Sequence, residues 1–176
     1  MTDAPSRTAS SWVARFAPLV PAGGPVLDVA CGGGRHTRFF LDRGHDVVAI
    51  DRDVSALDDV LGHPRLEVVE FDLEAGRPFP FAGRHFAGVV VTNYLYRPLL
   101  PDLVSAVAPG GVLVYETFAR GQERFGRPRR PDFLLEPGEL LDAVRGALRV
   151  VAYEDVVVED PGPAARQRLA AVRDDR

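Results

Sequence analysis

The chain has no lysine, since all 21 of its basic residues are arginine. That absence excludes a phosphate-binding loop of the G-x-x-x-x-G-K-[ST] kind, a Schiff-base enzyme and a Tyr-x-x-x-Lys reductase, each of which needs the lysine nitrogen. Cysteine is almost absent as well. Cys31 alone allows no internal disulfide and suits a reducing compartment, where it reads as a small buried hydrophobe rather than a nucleophile. No apolar run approaches the ~20 residues of a membrane helix, and no N-terminal stretch has the basic, apolar and small-residue regions of a signal peptide. Net positive charge is missing too. Twenty-five acids against 21 arginines leave −4, which argues against general binding to nucleic acid or an anionic membrane. His45, His63 and His85 lack metal-ligand spacing, so no metal site is expected. The expectation is a soluble cytoplasmic protein, monomeric or homodimeric.

What is present is a chain of 176 residues, 46% hydrophobic, enough for one domain over 1–176 with its first eight residues loose. It is organised around Val26–Phe40. A short apolar run, VLDV, meets three glycines in a row and continues with apolar residues at helical spacing, which reads as strand, tight turn, helix. Glycine permits φ > 0 and lets a ligand approach the backbone, and the following helix presents unpaired N–H groups, so a ligand with an anionic end is expected there. Asp28 stands inside the strand. Asp51 ends the next apolar run, where an acid accepts hydrogen bonds from ribose hydroxyls, so a nucleoside is implied.

The dinucleotide pattern G-x-G-x-x-G fails because Thr37 occupies the place of its third glycine. The stretch Asp28-Val29-Ala30-Cys31-Gly32-Gly33-Gly34 instead resembles motif I of the class I S-adenosylmethionine-dependent methyltransferases, an acid, one residue, then G-x-G-x-G, with Ala30 in place of the first glycine. The resemblance covers roughly residues 10–173. It implies an α/β, three-layer Rossmann-like fold with a mostly parallel seven-stranded sheet whose last strand is antiparallel, S-adenosylmethionine as cofactor, and transfer of its methyl group to a small-molecule acceptor. The residues matched to cofactor contacts are Asp28, Ala30, Gly32, Gly34, Asp51, Arg52, Asp72, Leu73 and Thr92, with Asp72-Leu73 at the adenine edge or, on the plainer reading, a polar loop cap. A non-catalytic cofactor-binding subunit and another nucleotide-binding α/β domain are the alternatives.

Along the chain, Ser10 caps a short helix whose Trp12 reads as a core aromatic, or else as a lid over the cofactor. A helix burying Phe39 and Phe40 should end at Gly44, strand two spans His45–Ile50, and a helix from Asp53 to Gly62 precedes strand three, Leu66–Phe71. Phe86–Thr92 reads as a fully buried strand. Leu99–Ala108 reads as helix, Val112–Phe118 as strand five, residues 148–158 as strand six and 165–172 as strand seven. Asn93-Tyr94-Leu95-Tyr96-Arg97-Pro98 follows strand four, where the resemblance places substrate contacts, so Asn93, Tyr94, Tyr96 and Arg97 are candidates. Similarity in this stretch and in the arginine-rich loop at 119–131 to the small tellurite-resistance-type methyltransferases is weaker. The loop's arginines read as a solvated face or as a grip on an anionic acceptor, thiol or oxyanion, through Arg127 and Arg130. Alignment and exclusion of water do most of the work in such a transfer, and His36, Tyr94 and Glu116 are the candidates if a base is needed.

Overall fold

The computed structural model describes residues 8–175; the expectation of a loose start falls, apart from Thr8, outside the described residues. Seven strands form one sheet: β1 Val26–Val29, β2 Val47–Asp51, β3 Leu66–Glu70, β4 Phe86–Thr92, β5 Val107–Phe118, β6 Arg149–Val158 and β7 Ala164–Val172. Their order is β3-β2-β1-β4-β5-β7-β6. The first five run parallel, and β7 is antiparallel to both of its neighbours. The expected mostly parallel sheet with an antiparallel last strand is therefore present.

The strands that read as continuous apolar runs are those with both faces covered. Every residue of β1 is buried, as are the first six of β4. Alternation divides the core between two faces. Val26, Val90, Val112 and Val114 pack with Trp12, Val13 and Phe16 of α1 (Ser11–Phe16) and Phe40 of α2 (Arg35–Leu41). Leu27, Val29, Val89, Val91 and Leu113 pack on the opposite side with Leu103 of α3 (Leu100–Ser105) and Leu140 and Val144 of α4 (Glu139–Val144). Three layers result.

Ser10 caps α1 as its type predicts, its hydroxyl accepting from the N–H groups of Trp12 and Val13. Trp12 is 3% exposed and its indole N–H donates to the Leu169 carbonyl at 3.1 Å. It is a core residue and no lid. Phe40 is fully buried, but Phe39 is only half-buried beneath the Arg43 guanidinium, 3.5 Å from the ring centroid.

Strand two shifts to Val47–Asp51 and the helix before it stops at Leu41, short of Gly44, while two segments change more. No α-helix spans Asp53–Gly62; a 3-10 turn at Ser55–Leu57 is all that forms. Asp53 Oδ1 takes the backbone N–H and the hydroxyl of Ser55 at 3.0 and 2.6 Å, a local turn that competes with the helix, and Leu61 is left 54% exposed with no layer over it. The helix before β5 ends at Ser105 rather than Ala108. Pro109-Gly110-Gly111 lies inside β5, where Gly110 donates to the Arg173 carbonyl at 2.8 Å and Arg173 returns a bond to Gly111 at 2.9 Å. Tertiary pairing decided that segment.

Candidate functional site

Because β1 to β4 run parallel, their carboxyl ends share one edge of the sheet, and the loops leaving that edge enclose three cavities. The largest, 460 Å³, lies over the ends of β2 and β3 and is lined by Asp51, Arg52, Phe71, Asp72 and Leu73. A second, 350 Å³, lies over the glycine turn and is lined by Gly32, Gly33, Arg35, His36 and Thr92. The third, 310 Å³, lies beyond β4 and β5 under the arginine-rich loop, with Leu95, Phe118, Pro128 and Phe133 in its walls. Asn93 lines all three. Ala30 joins the first two, and Glu74, Tyr94 and Phe133 join the first to the third.

The turn is built from unusual backbone. Ala30 has φ 50°, Gly32 φ 51° and Gly34 φ 71°. A Cβ at Gly32 would meet nothing nearer than the Ala30 carbonyl at 4.0 Å, so this glycine keeps its side open to a ligand. Gly34 is different: a Cβ there would stand 2.2 Å from Leu57 Cδ2 and 2.7 Å from Arg38 Nη1. Asp51 faces the turn. Its Oδ2 accepts the Gly32 N–H at 2.9 Å and its Oδ1 the Asp53 N–H at 3.1 Å, which orients the carboxylate while each oxygen keeps capacity for another donor.

Asp28 lies beneath the turn, 2% exposed, accepting from the Thr37 hydroxyl at 2.7 Å. Burial raises its pKa to about 6, against the lowering effect of the Thr37 hydrogen bonds. His36 is also 2% exposed. Its Nε2 accepts the Ser10 N–H at 3.1 Å, which places the proton on Nδ1, 3.4 Å from the Thr92 hydroxyl. Burial, then the Arg35 charge, lowers its pKa to about 3, so the ring is neutral.

Residues 26–111, just under half of the chain, match the methyltransferase domain family. The residues that carry motif I and strands β1 to β4 fall inside that stretch. That stretch is similar to a methyltransferase domain. A demethylmenaquinone methyltransferase of Renibacterium salmoninarum is 31% identical over 99 residues, covering 53% of this chain and 41% of the relative. This chain spans 39–48% of the length of the curated relatives it matches. Among solved structures, a TehB-like S-adenosylmethionine-dependent methyltransferase of Corynebacterium glutamicum is 19% identical with a TM-score of 0.64, covering 92% of this chain and 86% of the other. The Burkholderia thailandensis 1,6-didemethyltoxoflavin-N1-methyltransferase is 19% identical with a TM-score of 0.69, covering 99% and 80%. At such identities the likeness is one of fold.

Within the matched stretch, Ala30, Gly32, Asp51, Arg52, Asp72, Leu73 and Thr92 all line the first two cavities. Asp72 serves both of its readings, since it lines a cavity and its Oδ1 also caps the Glu74 N–H at 2.9 Å. Asp28 and Gly34 line neither of these two cavities: Asp28 is bonded to Thr37 under the turn, and a Cβ at Gly34 would meet Leu57, so both support the turn from below.

The substrate candidates divide more sharply. Asn93 and Tyr94 line the third cavity, whereas Tyr96 lines a separate 160 Å³ cleft with Phe79 and Arg77. Arg97 is consumed in structure: it pairs with both Glu139 oxygens at 2.7 and 2.9 Å and donates to the Asp132 and Leu134 carbonyls at 3.0 and 2.8 Å. Arg127 and Arg130 are exposed and line none of these three cavities, and Arg130 pairs with Asp132 at 2.8 Å. The loop reaches the third cavity through Pro128, and Phe133 just beyond the loop joins it there. Among the base candidates, His36 has its basic lone pair engaged by Ser10. Glu116, 4% exposed, is paired with Arg168 at 3.0 Å on the face under α1. Tyr94 alone reaches the third cavity, and its hydroxyl is buried without a hydrogen bond among the described residues. Burial first, then the Glu74 charge, pushes its pKa above the ordinary tyrosine range.

Sequence reasoning missed Arg35, Glu74, Phe118, Phe133 and Arg166. Arg166 Nη1 donates to Asn93 Oδ1 at 2.7 Å, holding Asn93 at φ 54°, and its guanidinium lies 4.4 Å from the Phe118 ring centroid. The signal was an arginine in an alanine-rich strand, AARQRLAAV, where burial is costly without a partner.

Proposed function

We propose that this chain is a methyltransferase that moves the methyl group of S-adenosylmethionine to a small-molecule acceptor. The observation that carries the reading is the convergence of three cavities on Asn93, which supplies one place for adenosine, one for the methionine arm and one for an acceptor. The residues present fit that cofactor. Asp51 is pre-oriented for ribose hydroxyls, Leu73 and Asp72 border the place for the adenine, the open side of Gly32 admits the methionine arm, and Arg35 supplies a cation for its carboxylate.

When bound, S-adenosylmethionine supplies an activated methyl: the acceptor's lone pair takes the methyl carbon as the C–S bonding pair stays on sulfur. The chain's part is alignment and exclusion of water. Arg166 fixes Asn93 at the junction, and Phe133 closes over two of the cavities. Tyr94 stays protonated at neutral pH and is no base. Glu74, whose carboxylate shares the wall with Tyr94, receives the proton that an N–H, O–H or S–H acceptor gives up. Small-molecule acceptors are supported by the relatives' names, which specify demethylmenaquinone and 1,6-didemethyltoxoflavin for those proteins.

No helix among the described residues is long and apolar enough to cross a membrane. We take the chain to act as one cytoplasmic domain, alone or as a homodimer, which sedimentation decides. Calorimetry with S-adenosylhomocysteine tests the cofactor reading directly. Asp51→Ala should weaken binding by about 1.5–3 kcal/mol, the scale of hydrogen bonds to a charged group. Unchanged affinity in a folded variant overturns the assignment.

A further inference from the structure

Resting on that reading, we propose that the acceptor is a flat, uncharged one- or two-ring aromatic molecule, bound between the rings of Tyr94, Phe118 and Phe133. The walls of the 310 Å³ cavity are Glu74, Asn93, Tyr94, Leu95, Thr117, Phe118, Pro128 and Phe133. Three of the eight are aromatic and two more are Leu and Pro. Faces of this kind select planar π-systems through offset or edge contacts that a saturated ring of equal size lacks. The volume sits at the small end of the range for organic-ligand pockets, which limits the guest to one or two rings.

Charge narrows the class further. The one formally charged wall residue is Glu74, which repels an anion in a partly dehydrated space. The cations that would favour an anion are engaged or elsewhere. Arg166 is bonded to Asn93 and stacked beside Phe118, Arg97 is bound to Glu139, and Arg120 and Arg130 pair with Glu136 and Asp132 at the surface. Arg127 is exposed and lies outside the walls of this cavity. In place of an anionic acceptor held by the arginine-rich loop, the proposal is an uncharged one held by the rings at Tyr94, Phe118 and Phe133.

Three probes of nearly one outline separate the alternatives: 2-naphthol, its saturated counterpart decahydro-2-naphthol, and 2-naphthalenesulfonate. Each is titrated into protein saturated with S-adenosylhomocysteine, with tellurite and malonate as small anions. The expected result is a Kd for 2-naphthol at least tenfold below those of the other four. Phe118→Leu, which removes a ring from this cavity alone, should raise that Kd at least fivefold and leave S-adenosylhomocysteine affinity unchanged; Tyr94→Phe, which keeps its ring, should retain 2-naphthol binding. Equal or tighter binding of the sulfonate, either small anion or the saturated alcohol overturns the inference, as does an unchanged 2-naphthol Kd in Phe118→Leu. Failure of S-adenosylhomocysteine itself to bind would instead remove the methyltransferase reading and the inference with it.

Discussion

Asp28 and His36 are buried on either side of the glycine turn, and their titrations oppose each other. Folding raises Asp28 from 3.8 to about 6 and lowers His36 from 6.5 to about 3. Between roughly pH 6 and 3.8 the folded state carries the Asp28 proton that the unfolded chain lacks, while the unfolded chain carries the histidine proton that the fold excludes. The two linkage slopes cancel there, so the pair loses stability to the histidine alone just above pH 6 and again below pH 3.8, where both groups of the unfolded chain are protonated. Asp28→Asn removes one side of the balance. Relative to wild type, its stability should fall by about 1.4 kcal/mol per pH unit between pH 6 and 4, followed by urea unfolding at each pH. Parallel curves would show that the pair is not coupled to folding in this way. The glycines separate by the same reasoning at single atoms. Gly34→Ala should cost about 2–5 kcal/mol, from left-handed strain and collision with Leu57. Gly32→Val should keep its circular dichroism and lose S-adenosylhomocysteine in a titration.

Among the elements, β5, β7 and β6 are tied by a line of charge, Glu116 to Arg168 at 3.0 Å and Arg168 to Glu154 at 3.3 Å. Removing the cation alone leaves Glu116 buried and unpaired. Arg168→Met should therefore destabilise by about 3–5 kcal/mol, and adding Glu116→Gln should recover much of the loss. Thermal unfolding of the single and double variants checks this, and a single variant within 1 kcal/mol of wild type would contradict it. Elements whose local signals agreed with their final surroundings were legible in the sequence. β4 was read to the residue because an uninterrupted apolar run needs cover on both faces, and α1 because Ser10 and the Trp12–Phe16 spacing agree. The 53–62 segment and the start of β5 were not legible, since a two-residue Asp–Ser turn and a distant partner at Arg173 decided them. In the site, the glycine turn and Asp51 announced themselves locally. The acceptor cavity did not, because Phe118, Pro128, Phe133 and Asn93 come from three separate stretches, and their arginine neighbours drew the reading to the wrong side chains.

Across the whole molecule, the indole of Trp12 donates to the carbonyl of Leu169, 157 positions away. Trp12 is the chain's only tryptophan, so its emission reports when β7 docks. Emission from a chain ending at Gly146, before β6, should stay near that of the unfolded protein; a blue-shifted signal there would show that α1 finds its seat without β7. Until residue 169 has been translated, the face formed by Val90, Val112 and Val114 has no completed cover, and the helix that should seat there waits for a strand made more than a hundred residues later. Closing so distant a contact places the slow step of folding late. A nascent chain therefore exposes this apolar face from the completion of Val114 until Leu169 emerges, and chaperone dependence should track that interval rather than the stability of the finished fold.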